Sequence, residues 1–157
     1  MTDWDGRWMK VARTYASFSK DPSTRVGAVI VKDNRVISAG WNGFPRGVVD
    51  TTERLNDREQ KYRLTVHAEM NAILNAAYHG ASLAGTTLYV TGLPCCSDCA
   101  KAIVQSGVVE VVMEYPCEVS EKWAESAELT RQMFSEAGIK YSKRISYRDE
   151  SGDAVAS

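Results

Sequence analysis

The spacing of apolar and polar residues predicts that the chain opens with one helix followed by two strands. Apolar residues recur at helical spacing from Trp4 to Tyr15, which predicts a first helix ending near Phe18. Runs rich in β-branched residues at 26–31 and 35–39 predict two short strands. Asp33-Asn34 between them suits a tight turn, so we expect an antiparallel hairpin.

The second half of the chain alternates between helical and strand-like patterns. We expect helices over 67–78, 96–105 and 120–137, and strands over 86–91, 108–113 and 139–145. Strands separated by helices favour parallel pairing with helices covering the sheet. Together with the hairpin, the pattern predicts an α/β fold of three layers, α/β/α, around a mixed five-stranded sheet. We expect one domain over 1–146 and a flexible tail over 147–157.

The segment from Trp41 to about Thr65 shows little periodicity. It opens with Asn42-Gly43-Phe44-Pro45-Arg46-Gly47 and continues with mixed charges. A loop of this length in a small domain is usually functional or disordered. Its aromatic, glycine and proline residues favour an ordered functional loop, and 53–63 has room for a turn or two of helix.

The composition narrows the class of protein. The chain has 157 residues, is 44% hydrophobic and carries a formal net charge of −1, so it has no global field that would attract nucleic acid or an anionic membrane. We find no leader-like start and no apolar run near the roughly 20 residues of a membrane helix. We therefore expect a soluble cytoplasmic protein, in the host cytoplasm if it is phage-encoded.

The four cysteines are better suited to metal binding than to disulfides. Two disulfides are arithmetically possible, but Cys95 and Cys96 are adjacent, and Cys96 forms a C-x-x-C motif with Cys99. This arrangement favours metal binding in a reducing compartment. We interpret Cys117 as a free thiol and Cys95 as a bystander.

His67-Ala68-Glu69 and the later Cys96-Ser97-Asp98-Cys99 form the chemical centre of the sequence. One imidazole and two thiolates supply three zinc ligands, and a fourth position left to water is typical of a catalytic zinc. Glu69 is not needed as a ligand and is placed to move protons. H-x-E followed by C-x-x-C is the arrangement of zinc deaminases.

This ligand set predicts a hydrolytic chemistry. Zinc lowers the pKa of a bound water to around ~7, which makes a nucleophile available for attack at C4 of a cytosine ring. Glu69 takes a proton from that water and returns protons to the ring nitrogen and the leaving amino group. Asn71 and the backbone N–H of Ala68 lie at the same helix start, where they are placed to orient groups around the ring.

Each half of the motif alone has a simpler interpretation. A lone H-x-E is more often a pair of surface residues at a helix start, and a lone C-x-x-C is equally a redox pair or half of a structural zinc site. The combination favours the deaminase site. His79, the other histidine of the chain, is expected at an exposed helix end.

With these motifs in place, the chain resembles the cytidine and deoxycytidylate deaminase superfamily, most closely the deoxycytidylate (dCMP) deaminases of phages and cells. The resemblance runs from about Phe18 to Tyr141 and is carried by four blocks: 19–28 (SKDPSTRVGA), 40–47 (GWNGFPRG), 67–73 (HAEMNAI) and 96–101 (CSDCAK). The zinc motif specifies only the superfamily, and the first two blocks narrow the resemblance to dCMP deaminases.

The resemblance implies hydrolysis of dCMP to dUMP and ammonia, which supplies thymidylate synthesis. It implies that Arg25 lies near the substrate phosphate and that Asn42 contacts the sugar or base. Without the surrounding blocks, Arg25 is equally an ordinary exposed charge, and Asn42 a turn former beside Gly43. Tyr115 is placed to line the pocket, with aromatic packing as the alternative.

The resemblance also implies regulation and assembly. Such enzymes are typically hexamers, activated by dCTP and inhibited by dTTP, with Mg²⁺ accompanying the triphosphate. The long loop is the place where we expect the effector, with a rim formed by Asn42, Gly43, Phe44, Arg46 and Gly47. A loop of this kind is equally suited to be a substrate lid.

The chain departs from the family's sequence pattern at two places. The family often has proline where Cys95 stands. No further cysteine or histidine falls in the segments where some phage relatives bind a second zinc, so we expect one zinc per subunit.

The alternative functions are a deaminase of another cytosine nucleoside or nucleotide, a tRNA adenosine deaminase, and an inactive zinc-stabilised binding protein. The short chain favours a phage origin mildly.

Overall fold

The chain folds into helices and strands in nearly the predicted order. The computed structural model describes residues 2–116, 119–145, 147–148 and 154–155, and Cys117 lies outside this part. The helices are α1 (Trp4–Ala16), α2 (Thr52–Asn56), α3 (Arg58–Leu64), α4 (Ala68–His79), α5 (Ser97–Ser106) and α6 (Glu121–Ala137). The strands of the main sheet are β1 (Gly27–Lys32), β2 (Arg35–Trp41), β3 (Thr87–Thr91), β4 (Glu110–Tyr115) and β5 (Lys140–Ile145).

The main sheet has five strands in the order β2-β1-β3-β4-β5. β1 pairs antiparallel with both β2 and β3, while β3, β4 and β5 run parallel. The turn between β1 and β2 has positive φ at both Asp33 and Asn34, as a tight type I′ hairpin requires. The predicted mixed five-stranded sheet is therefore confirmed, with its antiparallel strands at one side.

The two faces of the sheet are covered by different helices. On one face, Met9 and Ala12 of α1 pack against Val29 and Val31 of β1 and their neighbours in β3 and β4. The opposite face, which carries the alternate residues of each strand, packs against α4, α5 and α6. This arrangement confirms the three-layer α/β/α architecture.

A close approach between β2 and α4 fixes the position of α4. A Cβ atom added to Gly40 would lie 2.6 Å from the Ala72 nitrogen and 2.7 Å from the Ala68 oxygen. Ser38 adds a hydrogen bond from its hydroxyl to the Ala72 carbonyl, at 2.6 Å. Because only glycine leaves room for this contact, β2 sets the place of the helix that begins next to His67.

The start of β4 differs from the prediction. β4 begins at Glu110 rather than at 108, because the buried Val108 belongs to the connection that follows the left-handed cap Gly107. The helical turns expected over 53–63 are confirmed as two short helices, α2 and α3, capped by the side chains of Thr51 and Asp57. Paired backbone bonds between Gly43 and Val66 join the two ends of this segment.

No helix in the described ranges is long and apolar enough to span a membrane. The flexible tail expected over 147–157 lies largely outside the described residues.

Candidate metal and catalytic site

The two sequence motifs meet because each one begins a helix at the same end of the molecule. His67 is the N-cap of α4 and Cys96 is the N-cap of α5, and both have extended backbone conformations. The Cys96 sulfur accepts a hydrogen bond from the Cys99 backbone N–H at 3.4 Å, as a capping side chain does. Helix N-termini favour negative charge, so this placement stabilises thiolates.

The three predicted ligands have the spacing of a zinc site. His67 Nδ1 lies 3.4 Å from Cys96 Sγ and 3.5 Å from Cys99 Sγ. The ligand atoms of all three residues lie within 4.8 Å of one another. Tetrahedral zinc with ordinary Zn–S and Zn–N bonds separates nitrogen from sulfur by about 3.5 Å. These three side chains therefore fit a zinc ion without rearrangement.

The charge state of the cluster suits a cation. Cys99 donates a hydrogen bond to the Cys96 sulfur, which is the largest effect lowering the pKa of Cys96 to about 4, and His67 lowers it further. The hydrogen bond to Cys96 also raises the pKa of His67. A lowered pKa favours the thiolate form of Cys96, which is the form that binds a metal cation.

Glu69 lies one residue inside α4 and is 4% exposed. Burial raises the pKa of its carboxyl to about 7, although the nearby His67 opposes the shift. Burial also raises the pKa of the Cys95 thiol, next to the predicted ligand Cys96, well above its usual range. A carboxyl group poised near pH 7 is suited to accept and return protons.

A cavity of about 110 Å³ opens over these groups. His67, Ala68, Glu69 and Cys96 line its base. Its walls come from the segment before β1, the residue after β2, α3 and the residue after it, the β3–α5 loop and α6. The wall residues are Asp21, Ser23, Thr24, Val26, Asn42, Lys61, Tyr62, Thr65, Leu93, Pro94 and Trp123. The ligand set and Glu69 therefore face a space into which a small molecule can enter.

Lys61 is a buried cation in the wall of this cavity. Its side chain is 7% exposed, and its ammonium lies 3.1 Å from the Asp21 carboxylate and 3.4 Å from the Ser23 hydroxyl. An ammonium group has three N–H donors, so one remains after these two contacts. Sequence reasoning missed Lys61 because it falls in a mixed-charge segment without periodicity, where nothing but its position before His67 distinguishes it.

Asn42 lines the cavity, but most of its side chain is used to hold the backbone. Its Oδ1 accepts a hydrogen bond from the Val26 N–H at 2.8 Å, and its Nδ2 donates to the Thr24 carbonyl at 2.9 Å. Ser19 binds the Asn42 carbonyl from the other side, at 2.9 Å. Asn42 thus fixes the segment of residues 24–26 against the cavity, and one Nδ2 hydrogen remains for a ligand.

Three other predicted residues are absent from the lining of this cavity. Arg25 is exposed and is not among the residues that line the cavity. Tyr115 is buried and lines a second cavity of about 190 Å³ with Cys95 and Thr130. Asn71, at the start of α4, donates from its side chain to the Trp41 carbonyl at 2.8 Å.

Of the predicted effector rim, Asn42 lines the cavity over the zinc ligands, whereas Gly43, Phe44, Arg46 and Gly47 do not. Gly43 and Phe44 line two other cavities, and Arg46 lines the one that faces α4. The Arg46 guanidinium donates to Asn75 at 2.8 Å and lies over the Tyr78 ring. Gly47 has a φ of +78°, which a glycine adopts without strain.

Comparison with known proteins agrees with this site. Residues 2–115 match the model of the cytidine and deoxycytidylate deaminase zinc-binding region. The chain is 42% identical over 140 residues to an uncharacterized deaminase of Aliivibrio fischeri, covering 88% of this chain and 92% of that protein. It is 37% identical over 153 residues to the human deoxycytidylate deaminase, covering 91% and 80% of the two chains.

The enzyme of phage T4 and a cyanophage structure extend the comparison. The deoxycytidylate deaminase of phage T4 is 34% identical over 153 residues, covering 73% of this chain and 77% of its own. The crystal structure of dCMP deaminase from cyanophage S-TIM5 in complex with dCMP and dUMP matches with a TM-score of 0.73 at 26% identity, covering 92% and 99% of the two chains. This chain therefore belongs to the cytidine and deoxycytidylate deaminase family.

Proposed function

We propose that this protein hydrolyses dCMP to dUMP and ammonia with a zinc ion held by His67, Cys96 and Cys99. The observation that carries the proposal is the meeting of these three ligand atoms within 4.8 Å beside the buried Glu69, at the base of one cavity. The relatives named deoxycytidylate deaminase and the cyanophage enzyme in complex with dCMP and dUMP support this choice of substrate. The product would supply thymidylate synthesis.

Glu69 is the proposed proton carrier of the reaction. A zinc ion at this ligand set supplies Lewis acidity and lowers the pKa of a water molecule in the site. Glu69 accepts a proton from the attacking water and delivers protons to the pyrimidine ring nitrogen and to the amino group that leaves as ammonia. Its position inside the first turn of α4, two residues after His67, holds its carboxyl beside the ligands.

The cavity walls offer groups that suit the rest of a nucleotide. Leu93 and Trp123 present apolar surface to the space over Glu69, as a pyrimidine ring requires. Asn42 and the backbone N–H of Ala68 are the proposed polar contacts to the sugar or base. Since the side chain of Asn42 is held at both ends, it meets the ligand in a fixed orientation.

Lys61 is the cation that we assign to the 5′-phosphate inside the cavity. It is buried, it lies beside the Ser23 hydroxyl, and it retains one N–H donor for an anion. Arg25, two residues from Ser23, is exposed outside the cavity lining, so we place it no closer than the entrance. A buried ammonium discriminates strongly between a charged phosphate and a neutral hydroxyl.

We also propose regulation by dCTP and dTTP, with Mg²⁺ accompanying the triphosphate, in a homo-oligomer of six chains. The rim of Asn42, Gly43, Phe44, Arg46 and Gly47 is the proposed effector contact. Two observations support this proposal: Gly43 and Phe44 line two further cavities, and Arg46 lines the one next to α4. A guanidinium at an open cavity is suited to bind phosphate oxygens.

The test is ammonia release by the zinc-loaded protein from dCMP, deoxycytidine and CMP, each with and without dCTP and Mg²⁺. We expect dCMP to be strongly preferred and its turnover to rise with dCTP. If the activity on dCMP does not change with dCTP, the regulatory proposal is wrong and the 41–65 segment is better interpreted as a substrate lid. Preference for deoxycytidine or CMP would move the function to another cytosine substrate, and inertness toward all three would favour a zinc-stabilised binding protein.

A further inference from the structure

The second cavity is formed by residues of α6, β4, β5 and the β3–α5 loop. Its volume of about 190 Å³ exceeds that of the cavity over Glu69, which is about 110 Å³. Its lining residues are Pro94, Cys95, Met113, Tyr115, Ala127, Thr130, Arg131, Tyr141, Ser142 and Lys143. Among the described lining residues, Pro94 is the one that the two cavities share. The reaction proposed above makes no use of this second space.

Tyr115 supplies a buried polar group to the second cavity. The residue is 4% exposed, and its hydroxyl has no hydrogen-bond partner among the described residues. The hydroxyl oxygen is still accessible rather than fully enclosed. Because Tyr115 lines the second cavity, we infer that its hydroxyl opens into that space. Burying a hydroxyl without a partner is costly, so this group is available to a ligand.

The lining of the second cavity carries two cations and, among the described residues, no acidic side chain. Lys143 Nζ lies 4.1 Å from the centre of the Tyr115 ring, so the ammonium and the phenol are neighbours. Arg131 donates to Glu128 from Nε at 3.0 Å and from one terminal nitrogen at 2.6 Å, which leaves the other terminal nitrogen for a further acceptor. Glu128 offsets part of the Arg131 charge from outside the lining. The remaining positive charge favours an anion.

The rest of the lining is mostly apolar or aromatic. Met113 and Ala127 are buried hydrophobic residues, and Pro94 and the Tyr141 side chain add further apolar surface. An inorganic anion would leave this surface uncovered, whereas an organic anion would bury it. The cavity therefore suits a ligand that has both a charged group and an apolar body.

We propose that the second cavity is a binding site for a small organic phosphate. The phosphate group binds Arg131 and Lys143 and accepts a hydrogen bond from the Tyr115 hydroxyl, while the body of the ligand packs on Met113 and Ala127. A phosphate monoester suits this set better than a carboxylate, because it has nearly two negative charges and three terminal oxygens for two cations and a hydroxyl. The site shares no residue with the proposed effector rim.

Isothermal titration calorimetry of the zinc-loaded full chain with phenyl phosphate tests this site. The probe joins a phosphate monoester to an apolar ring, and inorganic phosphate and benzyl alcohol each supply one half of it. We expect phenyl phosphate to bind with a Kd of ~1 mM or below, and each half to bind at least about tenfold more weakly. If phenyl phosphate does not bind, or binds no better than inorganic phosphate, the proposal is overturned.

Three variants show where the probe binds, with melting temperatures as a check of folding. Tyr115→Phe removes the hydroxyl and keeps the ring, and it should weaken the binding of phenyl phosphate at least about fivefold, as expected for one hydrogen bond to a charged group. Lys143→Met removes one cation and should weaken binding by at least about the same factor. Lys140→Met is the matched control, because it removes a charge from β5 outside the cavity lining. Its Kd should stay within about twofold of the wild type.

Lys61→Met separates this site from the cavity over Glu69, which also contains a cation. We expect phenyl phosphate to bind Lys61→Met as it binds the wild type. Binding that is lost in Lys61→Met and kept in Tyr115→Phe would assign the probe to the catalytic cavity and overturn the proposal. Equal weakening by Lys140→Met and Lys143→Met would overturn it too, because the probe would then respond to net charge alone. A protein inert toward dCMP would reject only the proposed function, and these titrations would still decide whether the site exists.

Discussion

Two glutamates are buried in the described part of the chain, and their surroundings give them different roles. Glu114 is 1% exposed, but Arg13 forms an ion pair with one carboxylate oxygen and Thr91 donates to the other at 2.8 Å. Glu69 instead lines the cavity, together with His67. A fully paired carboxylate stabilises the fold, whereas one that faces a cavity with a raised pKa is available for chemistry.

At the level of single residues, the motifs predicted which side chains meet at the candidate metal site, and missed the buried cation. His67, Glu69, Cys96 and Cys99 stand at spacings that few other functions require, so the sequence alone predicts that they form one site. Lys61 is buried only because Asp21 and Ser23, about forty residues earlier, meet it in the fold. A contact between residues so far apart along the chain produces no periodic pattern in a single sequence.

Lys61 gives the first prediction. Lys61→Met keeps the length of the side chain and removes its charge, so the KM for dCMP should rise at least roughly tenfold while the KM for deoxycytidine stays nearly constant. Steady-state kinetics with both substrates measure this difference. The variant removes the ion pair between Lys61 and Asp21. Turnover of deoxycytidine therefore also serves as a check that the variant is folded.

Arg25→Ala is the matched control for this experiment. Arg25 is exposed outside the cavity lining, so its removal should change the KM for dCMP by about twofold or less. If Arg25→Ala raises the KM for dCMP more than Lys61→Met does, the assignment of the phosphate to Lys61 is wrong and the earlier expectation for Arg25 holds.

At the level of elements, the apolar pattern was sufficient for the sheet and for the helices that pack on it. These elements bury one face, so their sequences carry a period that is visible without the structure. α2 and α3 cover little apolar surface, and they are specified by the caps Thr51 and Asp57 instead. The predicted start of β4 was too early because Val108 is buried although it lies outside the strand. Apolar character alone does not distinguish a buried strand residue from a buried loop residue.

The contact between β2 and α4 gives a prediction at this level. Gly40→Ala should push α4 away from β2, because the added methyl group would lie 2.6 Å from the Ala72 nitrogen. Since α4 carries Glu69 and begins next to His67, we expect a loss of thermal stability together with a loss of kcat of at least about tenfold.

Gly43→Ala is the control for the added methyl group. A Cβ atom at Gly43 would have no heavy atom within 4 Å, so stability and kcat should be close to those of the wild type. Wild-type kcat in Gly40→Ala, measured beside this control, would show that the close approach does not position the site.

At the level of the whole molecule, zinc would join two helices that are otherwise connected by packing and by the contacts of His67 with the two sulfurs. The ligands belong to the starts of α4 and α5, which also pack against each other over the same face of the sheet. A metal that binds the folded chain and not the unfolded one raises its stability by mass action. The site is thus expected to contribute to the fold as well as to the chemistry.

Metal removal tests this contribution. Metal analysis of the wild type should give one zinc per chain, and chelation should lower the melting temperature by several degrees or more. Cys99→Ala should contain no bound zinc and should melt near the temperature of the chelated wild type. Full zinc occupancy in Cys99→Ala would remove Cys99 from the ligand set.

The central claim is that a zinc ion and the Glu69 carboxylate act together on dCMP, and it is tested most directly by one comparison. Ammonia release from dCMP should be measured for the wild type and for Glu69→Gln, with the zinc content of both proteins determined in the same samples. We predict one zinc per chain in both and a kcat at least about a hundredfold lower in Glu69→Gln, since the amide cannot carry protons. A zinc-loaded Glu69→Gln that retains wild-type turnover would contradict the account.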